Sequence, residues 1–342
     1  MDYVGFGRTG LRVTRLCLGT MTFGNQCDED TSRQILNAAF DAGITFLDTA
    51  NNYPIGAAER FGTTESIVGR WLEGRRDEII LASKCNRPTG RRPWESGNSR
   101  KNILLSVEQS LRRLRTDYLD LYQVHAWDPA TPVDETLRAL DDLVQSGKVR
   151  YAGCANFRPH QLARAIGRAE LCGYARPESV QWRYNLVYRE AEQDLFPLCA
   201  ADDIAVLPYN PLAGGLLAGR HDRRAPAAGS RFTVGSSAAV YAARYWRADM
   251  LDLVDQLRLL AADAGVSAAT LSIQWVLARP EVTSVLIGAS APGQIADAVR
   301  AVATPLGSDL RLALDDLSSG FLPEPDTPWD TRALPDAERV TN

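Results

Sequence analysis

The sequence predicts an α/β fold, a (β/α)8 TIM barrel in which eight parallel strands close into a ring surrounded by helices. Eight short apolar runs alternate along the chain with segments of helical periodicity, and eight strands can close such a ring. The length of 342 residues suits a barrel of about 250 residues with insertions. Ionisable residues follow three neighbouring runs, where barrel enzymes place their active sites. An open, doubly wound parallel sheet is the alternative fold with the same alternation.

A glycine-rich segment near the start of the chain matches a dinucleotide-binding fingerprint. Residues 5–10, GFGRTG, fit G-x-G-x-x-G, but that motif binds a pyrophosphate only between a strand and a helix N-terminus. Only four residues precede it here, and the LRVTRLCLG that follows alternates like a strand. We therefore expect an N-terminal β-hairpin cap rather than a Rossmann fold.

The remaining elements follow in regular order. The predicted strands are residues 16–19, 44–47, 79–83, 119–124, 149–153, 179–182, 204–208 and 285–287. The predicted helices are residues 31–42, 64–72, 101–114, 133–145, 159–169, 191–201 and 267–277. Glycines directly after Ala42 and Ser146 are typical of helix ends.

An insertion of about 75 residues separates the seventh and eighth predicted strands. It contains a glycine-rich loop (212–219), an arginine-rich stretch (220–231) and two helices. The last segment, 318–342, is rich in proline and aspartate and is expected to form a loose tail or a lid over the barrel mouth. We expect one domain over residues 1–342, with its core at about 6–317.

Composition narrows the class of protein. A hydrophobic content of 45% supports a large core, and a net charge of −4 gives no reason to expect nucleic acid or an anionic membrane as a partner. The N-terminus lacks an apolar stretch of signal-peptide length, and no run approaches about 18 apolar residues. We therefore expect a soluble, cytoplasmic protein.

Cysteine and histidine spacing predicts neither a disulfide framework nor a metal site. The six cysteines contain no C-x-x-C pair, so buried reduced thiols are expected. The three histidines, His125, His160 and His221, have no second ligand at metal spacing. We expect no metal.

Four ionisable residues are candidates for catalysis. Asp48 follows the second run, and Tyr53 lies on the loop after it. Lys84 closes the third run and His125 the fourth. Each has a structural alternative, namely a helix cap, a solvated strand end or a satisfied core histidine. Their convergence on one rim favours an active site.

These residue types suit the reduction of a carbonyl group. A phenol with a pKa of about 10 is a weak acid at neutral pH, and a neighbouring ammonium lowers that pKa. Tyr53 would then donate the proton, Lys84 would tune it and Asp48 would anchor Lys84. His125 would orient the carbonyl oxygen, and a nicotinamide would supply the hydride.

The motifs DTANNY (48–53), QVHAWD (123–128) and GCANF (153–157), together with Lys84, resemble the aldo-keto reductase family. The resemblance extends from Phe6 to about Leu317. It implies a (β/α)8 barrel that binds NADP(H) in an extended form across the C-terminal rim, without a Rossmann domain. It also implies that the four candidates form the family's catalytic tetrad.

The same resemblance implies a set of cofactor contacts. Four positions depart from the family pattern: Ala155 replaces a serine, Asn210 replaces a serine, and Asp297-Ala298 replaces Glu-Asn. Arg220 and Arg231 would lie near the phosphates, although arginines there could also be part of a solvated loop. The implied cofactor residues are Gly19, Thr20, Met21, Asp48, Ala155, Asn156, Gln181, Tyr209, Asn210, Pro211, Leu212, Gly214, Arg220, Arg231, Gly288, Ser290, Gln294 and Asp297. The basic residues and Ser290 favour NADPH over NADH.

The expected substrate pocket is aromatic, formed by Phe23, Tyr53, Trp94 and Trp127 with the tail from Phe321 to Trp329. Arginines in the loop 85–100 could meet an anionic substrate such as a diphosphate sugar, or be solvated. The chain looks similar to bacterial members of secondary metabolism, which implies a ketoreductase of natural-product or antibiotic biosynthesis acting on a polyketide or a nucleotide-deoxysugar.

A regulatory role is the alternative function, because channel β-subunits share this barrel and tetrad. Such a protein would bind NADP(H) with little turnover. The enzyme hypothesis requires a small-molecule carbonyl substrate as the partner. Members of the family occur as monomers, dimers and rings, so a homo-oligomer is possible.

Overall fold

In the computed structural model, which describes residues 1–55, 60–235 and 238–323, eight parallel strands form a closed barrel. The strands in these described residues are β1 (Tyr3–Gly5), β2 (Arg12–Thr14), β3 (Leu16–Gly19), β4 (Phe46–Asp48), β5 (Ile80–Cys85), β6 (Leu119–Val124), β7 (Val149–Ala155), β8 (Ser179–Arg183), β9 (Ala205–Tyr209) and β10 (Val285–Gly288). Around the ring the order is β10-β3-β4-β5-β6-β7-β8-β9, which confirms the predicted barrel and excludes the open sheet.

Helices cover the outside of the ring. They are α1 (Glu29–Asp41), α2 (Thr63–Trp71), α3 (Arg100–Leu114), α4 (Val133–Gln145), α5 (Pro159–Cys172), α6 (Leu195–Ala201), α7 (Ala238–Tyr245), α8 (Ala248–Asp263), α9 (Ala268–Leu277), α10 (Ile295–Ala303) and α11 (Ser308–Leu317). Several start at side-chain caps, since Asp28, Ser99 and Ser267 each accept a hydrogen bond from a first-turn amide.

The N-terminal hairpin closes the bottom of the barrel. Strands β1 and β2 pair antiparallel, as predicted, with Val4 opposite Val13. Phe6, at the turn, is fully buried and packs edge-on against Phe46, with the ring centroids 6.2 Å apart. Its ring therefore fills the interior at the end opposite the strand C-termini, so the open mouth lies at the C-terminal rim.

Some element boundaries differ from the prediction. Strand β4 starts at Phe46 rather than at residue 44, and β5 extends to Cys85, so Lys84 lies inside a strand. Helix α6 begins at Leu195, preceded by a separate 3₁₀ turn at Glu190–Glu192. Pro197 explains this start, because proline is tolerated only in the first turn of a helix.

The cysteines follow the prediction with one exception. All six are free thiols, and five are buried, but Cys172 at the end of α5 is exposed.

Among the described helices, none is long and apolar enough on its own to cross a membrane. Helices α8 and α9 reach that length and composition only as a pair, bent by 93°. Helix α9 is apolar because it packs inside the molecule, where Leu271 and Trp275 are fully buried.

Candidate active site

The four candidate catalytic residues come together at the C-terminal rim. Asp48 ends β4, Lys84 lies near the end of β5, and His125 follows β6, and these are three adjacent strands of the ring. Tyr53 lies on the loop after β4, where its carbonyl accepts a hydrogen bond of 3.0 Å from the Gly62 amide. Parallel strands end at one edge, and this register brings the four side chains to one place.

A buried ion pair forms the base of the site. The Lys84 ammonium donates hydrogen bonds to Asp48 Oδ1 and, over 2.9 Å, to the Thr49 carbonyl. The other carboxylate oxygen of Asp48 accepts from the side-chain amides of Gln123 at 3.1 Å and Gln181 at 3.0 Å. Burial alone would lower the pKa of Lys84, but the negative charge of Asp48 raises it above its usual value. Lys84 is therefore held in its charged form beside Asp48.

Tyr53 lies above this pair with its ring buried. Its ring centroid is 5.4 Å from the Lys84 ammonium and 6.0 Å from the His125 ring. Burial raises the pKa of the Tyr53 phenol above 10, while the positive charge of Lys84 acts in the opposite direction. The sequence predicted that Lys84 lowers the pKa of Tyr53, but the sequence does not show how deeply the ring is buried. At neutral pH the phenol carries its proton.

His125 is held as a neutral imidazole. Burial, followed by the positive charges of Lys84 and Arg87, lowers its pKa well below 6.5. Its Nδ1 atom is buried without a hydrogen-bond partner among the described residues. A neutral imidazole still has one N–H donor, which can bind the oxygen of a polar ligand.

A cavity of about 880 Å³ opens above the tetrad and extends along the rim to Ser290 and Gln294. Tyr53, His125 and Asp48 line one part of it, while Lys84 lies beneath them. Every residue that the family resemblance assigns to the cofactor lines this cavity except Ala155. The Ala155 side chain is fully buried at the end of β7.

Asn156 and Tyr209 fix each other at the centre of the cavity. The Tyr209 hydroxyl donates to Asn156 Oδ1 over 2.8 Å, and Asn156 Nδ2 donates to the His125 carbonyl over 2.8 Å. Asn156 adopts a φ of 57°, which asparagine tolerates better than most residues. The Tyr209 ring is thus held in one orientation at the cavity wall.

The loop after β9 is held by Asn210. Its Oδ1 accepts from the Gly214 amide over 2.6 Å, and its Nδ2 donates to the Tyr245 hydroxyl over 2.8 Å. Gly214 has a φ of 73°, and a Cβ atom there would lie 2.6 Å from the Tyr241 ring. Asparagine in place of the family's serine therefore orders this loop, and the close approach of Tyr241 requires glycine.

Arginines cross the outer part of the cavity. Arg220 forms a 3.1 Å ion pair with Asp297. Arg231, in the insertion, donates to the Tyr241 hydroxyl at 3.1 Å and to Gln26 Oε1 at 3.4 Å, so it bridges the groove to the loop between β3 and α1. Nothing in the sequence pairs the insertion with that first loop.

The structure places three of the expected substrate-pocket aromatics away from this cavity. Phe23 is fully buried in the core, and Trp127 packs edge-on against Phe157 at 5.2 Å. Trp94 is 43% exposed and packs against the Lys101 ammonium. Only Tyr53 of that set lines the cavity. Phe321, the first residue of the expected tail, packs against the core and is not part of the lining. The tail residues from 324 onward, including Trp329, and the loop residues 56–59 lie outside the described chain.

The sequence reasoning missed several residues of the site. Gln123, which holds Asp48, had a usable signal, because it lies two residues before His125 and so on the same face of β6. Gln26, Arg87 and Tyr241 lie on loops or in the insertion and carry no comparable pattern.

The cavity fits an anionic dinucleotide. Among the described residues that line it, the carboxylates are Asp48 and Asp297, and these are already paired with Lys84 and Arg220. Arg231 and Arg244 add positive charge to the same lining. Phosphates would meet a net positive groove that ends near the N-terminal turn of α10.

A tyrosine above a buried lysine–aspartate pair, at the mouth of a parallel barrel, defines an oxidoreductase site of the kind that acts on carbonyl groups. The chain belongs to the aldo/keto reductase family, whose sequence model matches residues 15–318.

Its relatives cover nearly the whole chain. The chain is 36% identical to the uncharacterized oxidoreductase YrpG of Bacillus subtilis (strain 168), over 94% of this chain and 97% of that protein. It is 34% identical to a probable voltage-gated potassium channel subunit beta of Oryza sativa subsp. japonica, over 88% and 91%. It is 33% identical to the L-glyceraldehyde 3-phosphate reductase of Escherichia coli (strain K12), over 88% of each chain.

Proposed function

We propose that the protein is an NADP(H)-dependent reductase that converts an aldehyde or ketone to an alcohol, with Tyr53 as general acid. The observation that carries the proposal is the buried Lys84–Asp48 pair beneath Tyr53, at the head of a basic cavity. A carbonyl reductase needs a protonated donor beside a fixed positive charge, and both are present at one point of the rim.

The chain's own residues supply the proton and orient the oxygen. When bound, a reduced nicotinamide supplies the hydride to the carbonyl carbon. Tyr53 gives its phenolic proton to the carbonyl oxygen, and the Lys84 ammonium stabilises the phenolate that remains. Asp48 keeps Lys84 in place, and the neutral His125 donates a hydrogen bond to the same oxygen.

Preference for NADPH over NADH follows from the arginines. Arg220, Arg231 and Ser290 line the outer cavity, where an additional phosphate group would find positive charge and hydroxyl or amide donors. Asn156, Gln181 and Tyr209 would hold the nicotinamide carboxamide and ring. Gln181 gives one amide N–H to Asp48, so its carbonyl oxygen and its second N–H are left for the carboxamide.

A role as a ketoreductase in natural-product biosynthesis is a prediction from sequence resemblance alone. The name of the Escherichia coli relative, a reductase of a phosphorylated aldehyde, supports a polar and anionic carbonyl compound at least as well. A bulky polyketide has less support, because three of the four expected pocket aromatics lie outside the described cavity lining.

A regulatory protein is the second candidate. The rice relative, and one from Arabidopsis thaliana at 34% identity, are named as probable potassium channel β-subunits. Such a protein would retain the cofactor groove and show negligible turnover.

The test is oxidation of NADPH and of NADH, followed by absorbance, against simple aldehydes, a keto-sugar nucleotide and a bulky polyketide ketone. Saturable turnover on at least one carbonyl, faster with NADPH, is expected. Reactions without a carbonyl give the background. Tight NADPH binding with no turnover on any compound would contradict the proposal and favour the regulatory candidate.

A further inference from the structure

One positive charge at the reactive end of the cavity has no role in the proposed proton transfer. Arg87 follows β5 three residues after Lys84 and lines the cavity beside His125. The residue is exposed to solvent. The preceding residue, Asn86, is buried and donates to Asn98 Oδ1 over 2.9 Å, so the base of the loop is held in place.

Arg87 differs from the other ionisable groups at this end because no neighbour in the described chain balances its charge. Asp48 and Lys84 neutralise each other, and Tyr53 and His125 are uncharged at neutral pH. In the described part of the chain, no carboxylate that lines the cavity forms an ion pair with Arg87. Among the described residues, the reactive end therefore presents a net positive charge to an entering ligand.

The order of strands separates this charge from the cofactor groove. Strands β5 and β6 lie across the ring from β9 and β10, and the loops after β9 and β10 carry the expected phosphate-binding residues. Arg231 touches Gln26 on the groove side, close to β3. The Arg87 charge is therefore on the substrate side of the cavity.

We propose that Arg87 is a specificity-determining residue that binds an anionic group, a carboxylate or a phosphate, on the carbonyl substrate. The proposal rests on the proposed function, because it names the substrate class of that same site. Asn52 and Ile55, which are close to Tyr53 in the chain, also line the cavity. A guanidinium binds either oxyanion through two parallel hydrogen bonds.

The experiment compares matched aldehydes with the full-length protein. The first pair is 4-carboxybenzaldehyde and its neutral isostere 4-carbamoylbenzaldehyde, and the second is glyceraldehyde 3-phosphate and glyceraldehyde. The readout is the ratio of kcat/KM values within each pair, for wild type, Arg87→Gln and Arg87→Lys. Arg91→Gln is the control, since it removes an equal charge from the same loop outside the cavity lining.

Wild type is expected to favour the anionic member of at least one pair, and the pair affected distinguishes carboxylate from phosphate. Arg87→Gln should reduce that ratio by about 10- to 100-fold, mainly through KM, because a charge-assisted contact is lost. Arg87→Lys should retain part of the preference, and Arg91→Gln should keep the wild-type ratio.

Equal ratios in wild type and Arg87→Gln, or an equal fall in Arg91→Gln, would overturn the proposal. Failure of the proposed function has a different signature, namely no turnover of either member of a pair. In that case the binding of benzoate against benzamide, and of glycerol 3-phosphate against glycerol, is measured by calorimetry with the NADP⁺-loaded protein. A preference for the anion in either pair that Arg87→Gln abolishes supports the site, and equal binding within both pairs rejects it.

Discussion

The two ends of the cavity are built in different ways. The reactive end rests on strands β4, β5 and β6, and its ion pair is almost inaccessible, with Lys84 and Asp48 side chains 0% and 3% exposed. The outer groove rests on loops after β9 and β10, and its ion pair is open, with the Arg220 side chain 60% exposed. Proton transfer needs fixed geometry, which strands provide. Binding of phosphates needs accessible positive charge, which loops can provide.

The difference in burial predicts a large difference in stability effects. Replacing Lys84 by Met leaves the Asp48 carboxylate buried without its counter-ion, and the free energy of unfolding should fall by about 3–5 kcal/mol. Replacing Arg220 by Gln removes an exposed pair and should cost at most about 1 kcal/mol. Urea denaturation of both variants measures the contrast.

A double variant sharpens this prediction. Adding Asp48→Asn to Lys84→Met removes the unpaired charge, so part of the lost stability should return. If Lys84→Met and Arg220→Gln destabilise the protein equally, the buried pair is not the distinct element described above.

A smaller effect is expected from pH, and it comes from the reactive end. The pKa of His125 is well below 6.5 in the folded protein, so below pH 6.5 the unfolded chain binds a proton that the native site does not. Stability from this group is thus fully present above pH 6.5 and is lost as pH falls towards the native pKa. The slope from one such group is at most about 1.4 kcal/mol per pH unit.

The variant His125→Gln should flatten the loss of unfolding free energy between pH 6.5 and more acidic values. His221 also has a lowered pKa through burial, so some slope should remain. An unchanged pH dependence in His125→Gln would show that the imidazole is not held neutral in the native state.

Much of the fold could be predicted because parallel barrel strands are buried on both faces. Runs such as 204–208 and 285–287 are therefore continuously apolar and easy to find. Asp48, Lys84 and His125 could be predicted to converge because each comes at or just after the end of such a run. Their convergence also requires that the three strands be adjacent and in register, and the closed barrel provides this.

The loops were harder to predict because their contacts are long-range. Arg231 meets Gln26 across 205 residues of sequence, and no periodicity reports such a pairing. Trp127 lies two residues after His125, yet its ring packs against Phe157 and does not line the cavity. The raised pKa of Tyr53 depends on burial by the same loops, which composition and spacing do not reveal.

Cofactor affinity and turnover, measured together in two variants, test whether the two ends of the cavity have separate roles. In Tyr53→Phe, kcat should fall by about 10²- to 10⁴-fold while the Kd for NADPH stays within about twofold. In Arg231→Gln, the Kd should rise by about tenfold while kcat at saturating NADPH is retained. Near-wild-type turnover in Tyr53→Phe, or a loss of affinity in both variants alike, would contradict the assignment of chemistry to one end of the cavity and phosphate binding to the other.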